Sequence, residues 1–227
     1  WPGRHSPPDG QVFPSQRRSG CETTRVSGSL EHAVEQARER LAEEDYSPAA
    51  FRRLQAAQRE LAAARHEAWA EPLDLGVMWD VGAPLPHLVS NGSTAVLVCH
   101  AAVRDPHWDG TYVRVVSPSD QEPTEMLEFT FSGCHSALIG GPNDEVLNGH
   151  PLYAKGLGGY GPYLVHNSPW IRDEEAINAV HPQHRGGWHE FLHHYLFVFH
   201  DEIVEALAES VSVRSVRATM RDCLTNA

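Results

Sequence analysis

The sequence predicts an α+β protein, with an N-terminal helical hairpin followed by a mostly antiparallel sheet domain that carries one or two helices. Three observations predict it. Apolar residues recur at helical spacing in a stretch dominated by Ala, Glu and Arg, between Leu30 and Trp69. From Leu73 onward Ala and charge fall, while Gly, Pro, β-branched and aromatic residues rise. Within that second part, short alternating runs are separated by turn residues, as in Asn91-Gly92.

The elements follow in chain order. Residues 1–28 are rich in Pro, Gly, Ser and Arg and are expected to be mostly disordered, because such a segment buries too little surface to offset its ordering entropy. Ser29 is the expected cap of a helix with Leu30, Ala33, Val34, Ala37 and Leu41 on one face. Asp45-Tyr46 interrupts that pattern, and Ser47-Pro48 restarts it with a capping residue and a first-turn proline. Phe51, Leu54, Leu61 and Trp69 lie near one face of the second helix, so the hairpin is expected over residues 29–70.

The α+β domain is expected over residues 73–220. Asn91-Gly92 suits a tight primed turn between strands His87–Ser90 and Thr94–Val98. Tyr112–Val116 and Met126–Phe131 read as further strands, with Cys134–Ile139 pairing beside the latter. A helix is expected from Pro169 to Val180. The stretch from Trp188 to Ile203 fits a helical stripe, yet Tyr195–Phe199 is aromatic and β-branched enough for a strand. The favoured reading is a helical turn ending near His193 or His194, a strand, a turn near Asp201-Glu202, and a returning strand. Ser210–Arg217 alternates strongly and reads as a strand.

Composition bounds the partners. The chain has 227 residues and a formal net charge of -12, from 18 basic and 30 acidic side chains. A general nucleic-acid binder needs a basic surface, so no nucleic-acid partner is expected. No apolar run approaches the ~18 residues of a membrane span. The four cysteines form no C-x-x-C pair, which argues against a cysteine-based zinc ribbon, and a reducing cytoplasm is the expected compartment.

Candidate chemistry lies in the histidines, of which 11 of 15 fall between His100 and His200. His189-Glu190-Phe191-Leu192-His193 matches H-E-x-x-H. On a helix both imidazoles would meet one zinc, and Glu190 would deprotonate the bound water. The match resembles the zincin metallopeptidases over five residues only, and the metzincin continuation fails at Leu196 and Phe199. His200 is one step late for the third-ligand position but remains a candidate, and Glu205 or Glu209 could serve if the chain stays helical or turns back. A second candidate set is Asp144, Glu145 and His150, in a loop rich in small and polar residues, able to do acid/base or metal work. Asp201 would join it if the strands converge. Gly156-Leu157-Gly158-Gly159-Tyr160-Gly161 matches G-x-G-x-x-G, but neither flank supplies the strand and helix that a dinucleotide site needs.

The segments Gly140–Glu145, Gly149–Leu152, Asn167–Trp170 and His194–Asp201 together resemble a family of uncharacterised bacterial proteins, over roughly residues 75–215. The resemblance implies one structural unit and a strand at residues 195–200, and it implies no activity. The functional expectation is therefore a small metal-dependent or acid/base enzyme, hydrolase-like, acting on a small molecule. The alternative is a non-catalytic interaction protein that forms homo-oligomers through its helical hairpin.

Overall fold

Two helices open the part of the chain that the computed structural model describes, residues 19–103 and 116–227. Helix α1 spans Ser19–Glu43 and α2 spans Pro48–Ala64. Asp45 and Tyr46 adopt positive φ angles of 49° and 56° in the reversal between them. Ser47 then caps α2 by accepting the Ala50 amide at 3.2 Å. Val34 and Leu41 pack on Ala50 and Leu54 to form the hairpin's own small core. Helix α1 reaches back to Ser19, ahead of the expected Ser29 cap, and so enters the segment expected to lack structure. Arg65 ties that extension to the end of α2, 2.5 Å from Glu31 and 3.4 Å from Ser27.

Trp69 does not continue α2. His66, at a φ of 55°, turns the chain, and Trp69–Pro72 forms strand β1 instead. The Trp69 ring stacks on His166 at 3.9 Å between centroids, so a cross-strand ring contact replaces the helical one.

Among the described residues, nine antiparallel strands build two sheets. Strands β2 (His87–Ser90), β3 (Thr94–His100), β4 (Thr124–Ser132) and β9 (Ser210–Ala218) form one, in the order β2-β3-β4-β9. Strands β5 (Ser136–Gly140), β6 (Gly161–His166), β7 (His193–Val198) and β8 (Ile203–Ala208) join β1 in the other, in the order β1-β6-β7-β8-β5. Asn91 closes the β2–β3 turn through its side-chain oxygen, which accepts the Ser93 and Thr94 amides.

Strand β5 does not lie beside β4 as the sequence suggested. Gly133, at a φ of 60°, lets the chain cross between sheets. The Cys134 amide still bonds Ser93 of the first sheet at 2.8 Å, and the His135 amide already bonds Leu207 of the second at 2.7 Å. The expected strand Tyr112–Val116 lies, except for Val116, outside the described residues.

The sheets face each other across an aromatic core. Leu97, Phe129 and Phe131 from one meet Tyr195, Phe197 and Phe199 from the other, with Trp79 between them. The Phe197 ring lies 5.1 Å from Phe129 and 5.4 Å from Phe131, both edge-on. Helix α4 (Met220–Thr225), held by a Thr219–Asp222 capping box, covers the far side of the first sheet with Met220 and Cys223.

The second sheet also has an outer face, because side chains alternate along its strands. Tyr195 and Phe197 point into the sandwich, while His194, Leu196 and Val198 point outward. Leu147, Leu152 and Leu157, from the loop that connects β5 to β6, cover part of that face. Helix α3 (Pro169–Asn178) lies beside it and buries none of its own residues.

Candidate functional site

The outer face of the second sheet floors a cleft of about 760 Å³. Register sets its floor. Leu138 of β5 pairs with Glu205 of β8, Glu205 pairs with Leu196 of β7, and His194 of β7 pairs with Val165 of β6. Glu205 and His194 are therefore diagonal neighbours on one face, flanked by Leu138 and Val165. One wall is the first turn of α3, with Pro169, Trp170, Arg172 and Asp173. The other comes from His150 to Lys155, where Pro151 and Leu152 are apolar.

His194 is buried at 4% exposure, and both of its ring nitrogens are engaged. Nε2 lies 2.7 Å from Glu205 Oε2, and Nδ1 lies 2.9 Å from Ser168 Oγ. Ser168 caps α3 by accepting the Ile171 amide at 3.2 Å. A Ser168 hydroxyl that donates to His194 Nδ1 leaves the ring proton on Nε2, donating to Glu205. This assignment links Ile171, Ser168, His194 and Glu205 Oε2 in one donor-to-acceptor chain with a neutral imidazole. Among the described residues, Glu205 Oε1 accepts no hydrogen bond, and the side chain keeps 21% exposure toward the cleft.

His150 lines the same cleft, half-buried. Its Nδ1 accepts the Leu152 amide at 3.2 Å, so the neutral ring carries its proton on Nε2. Burial pushes its pKa below the ordinary histidine value, against the opposing pull of the Glu205 charge. A carboxylate oxygen able to accept and an imidazole N–H able to donate thus both line the cleft.

The other expected site residues fall elsewhere. Asp144 opens a short 3-10 helix, Asp144–Gly149, where Glu145 is exposed. The Asp144 amide bonds the His200 carbonyl at 2.9 Å, and its carboxylate accepts the Tyr160 hydroxyl. His200 Nδ1 lies 3.1 Å from Asp201 and 3.9 Å from Asp144. The strands therefore do bring Asp144, His200 and Asp201 together, at the surface and apart from the residues that line the cleft. The Asp201 hydrogen bond, then the Asp144 charge, raise the His200 pKa.

The H-E-x-x-H segment is not one helix. Trp188–Phe191 is a single 3-10 turn, Leu192 is extended, and His193 begins β7. His189 and His193 therefore share no helical face. His189 Nδ1 sits 3.1 Å from Glu175 on α3, whose other oxygen holds His184 Nε2 at 2.8 Å. His193 and Glu190 are exposed. Among the described residues, no three His, Cys, Asp or Glu side chains are placed to hold one metal ion. The physical reason is the run His194–Val198, which satisfies its backbone by pairing with both β6 and β8. The helical turn stops at Phe191 so that the chain can enter that pairing.

Two glycines of the G-x-G-x-x-G segment pack closely against neighbouring elements. A Cβ at Gly156 would stand 2.4 Å from the Ala70 carbonyl oxygen, and one at Gly158 would stand 2.8 Å from Gln55 Nε2. These glycines dock α2 onto the sheet.

Sequence reasoning passed over His194 and Ser168, and it met Glu205 only as a spare metal ligand. The signal was present. Glu205 is the one charged residue in Ile203–Ala208, and Ser168-Pro169 is a helix-start pair.

No protein-family model, curated protein or solved structure matches the chain.

Proposed function

We propose that this chain is an acid/base enzyme of hydrolytic type, acting on a small molecule held in the cleft between α3 and the 150–155 segment. The observation that carries this reading is the buried His194, fixed from behind by Ser168 and hydrogen-bonded to Glu205 at 2.7 Å on the cleft floor. A buried ionisable pair opening onto an apolar cleft is the arrangement that general acid/base chemistry uses.

In this reading Glu205 Oε1 takes a proton from water as the water oxygen bonds to a carbonyl carbon. The His150 Nε2–H donates to the carbonyl oxygen as negative charge develops there. The bond to the leaving group then breaks, and the leaving group takes the proton back from Glu205. His194 is a positioning residue that holds the Glu205 carboxylate in one rotamer and supports its charge. The reading needs no metal bound by His189, His193 and His200, and it leaves Glu145 and Glu190 outside the chemistry.

The test is turnover of neutral p-nitrophenyl esters and anilides by the wild type and by Glu205→Gln and His150→Gln, with folding checked by circular dichroism. A general base contributes about 10²–10⁴-fold. Glu205→Gln is expected to lose kcat on that order while KM changes little. Turnover equal to the wild type in a folded Glu205→Gln protein rejects the proposal.

A further inference from the structure

We infer that the cleft takes an uncharged ligand, an ester or primary amide of an apolar carboxylic acid, and that Leu138 of the floor and Trp170 of the α3 wall select its acyl group. The inference rests on the cleft described above and deepens the acid/base reading.

The fold leaves apolar surface uncovered in the cleft. Leu138 is 42% exposed beside Glu205, although it belongs to a strand. Pro151 and Pro169 are also exposed, on opposite walls of the same cleft. Trp170 is half-buried, with its indole N–H held by Glu174 at 3.2 Å and its ring edge-on to His194 at 5.4 Å between centroids. Leu138, Pro151, Pro169 and Trp170 border one concavity, which is where a small ligand would meet apolar surface.

Lys155 is occupied by Glu67 at 2.7 Å, and the first turn of α3 brings one charge of each sign to the rim, Arg172 and Asp173. The floor holds one carboxylate, Glu205, with His194 against its Oε2. An anionic ligand would bring like charge to that carboxylate in a poorly hydrated space. The two unspent polar groups are complementary to a carboxamide. Glu205 Oε1 accepts its N–H, and His150 Nε2–H donates to its carbonyl oxygen. An ester carbonyl with an attacking water makes the same two contacts.

The test is displacement of Nile red, a neutral apolar dye, from the full chain by octanamide and by octanoate, which share a tail and differ in charge. Octanamide is expected to displace the dye at a concentration about tenfold lower than octanoate. Glu205→Gln is expected to close that gap. Leu138→Asn is expected to weaken Nile red binding by about tenfold, and Trp170→Phe is expected to preserve it. Equal displacement by the two competitors overturns the inference, as does a gap that persists in Glu205→Gln or dye binding that ignores Leu138→Asn. The turnover assay separates the two claims. Glu205-dependent hydrolysis with equal competitors removes only the ligand class. The expected displacement without Glu205-dependent hydrolysis removes only the chemistry.

Discussion

His194 and Glu205 lie on neighbouring strands, two positions out of direct register, and their side chains meet at 2.7 Å between Nε2 and Oε2. Direct partners in the ladder are His194 with Leu207 and Glu205 with Leu196. The diagonal contact lets one polar pair sit in a row of apolar residues without breaking the ladder. Replacing His194 by Ala strands the Ser168 hydroxyl and one Glu205 oxygen. Leaving buried partners unsatisfied costs about 1–3 kcal/mol, so urea denaturation is expected to show a loss in that range. A double-mutant cycle with Glu205→Gln is expected to give a coupling of about 0.5 kcal/mol or more; additive losses count against the pair.

Histidine titrations are expected to split by location. The His150 pKa lies below its ordinary 6.5 and that of His200 lies above it. Between the folded-state value of His150 and 6.5, the unfolded chain binds more protons at this residue than the folded one. His150 therefore favours unfolding increasingly as pH falls through that window, and contributes no such penalty above it. Two-dimensional NMR across about pH 4.5 to about pH 8 is expected to place the two midpoints on opposite sides of the ordinary value. A His150 midpoint above that of His200 contradicts the burial argument.

The interior makes a size-dependent prediction. Phe197 is fully buried between Trp79, Phe129 and Phe131. Phe197→Ala is expected to cost about 3–5 kcal/mol, read from chemical denaturation, whereas Phe197→Leu costs less. A loss below about 1 kcal/mol for the alanine variant means that the two sheets are not packed as described.

Gly156→Ala tests how the helical hairpin is docked. Gly156 has a φ of 99°, and an added Cβ would meet the Ala70 carbonyl oxygen at 2.4 Å and Arg59 Cγ at 2.4 Å. Both effects oppose the substitution. A lower Tm is expected, together with faster amide exchange in α2, while Gly159→Ala, which meets open space, is expected to be near neutral. Equal stability of the two variants rules out this docking.

Three cysteines are expected to be inert. Burial raises the thiol pKa of Cys99 and Cys134, and that of Cys223 is pushed up to about 12 by burial and by Glu128. Thiolate is the nucleophile, so iodoacetamide at about pH 8 is expected to leave all three unmodified until denaturant is added. Peptide mass spectrometry reads this directly.

Much of the fold was legible because its signals are local. Ser47-Pro48, Asn91-Gly92 and the alternation of Ser210–Arg217 each specify an element within a few residues, and each element is present. The pairing order was not legible. That Cys134–Ile139 leaves β4 for β8 depends on a crossing at Gly133, and no local pattern encodes the partner. The site follows the same division. His150 was singled out as a polar residue in a loop. His194 was hidden by its neighbour, because periodicity on a helix favours His189 with His193 and alternation on a strand favours His194 with Leu196. Choosing between those periods decides which histidine turns toward Glu205.

Helix α3 buries none of its own side chains. It is held by its Ser168 cap and by histidine–carboxylate contacts, His135 to Glu174 and His184 and His189 to Glu175. The cleft floor, in contrast, is the back of the strands that build the aromatic core. The two sides of one cleft thus answer to different constraints. A change in the floor is felt throughout the sandwich, while the α3 wall can be re-lettered almost independently of folding, so new ligand preferences would be easiest to acquire there.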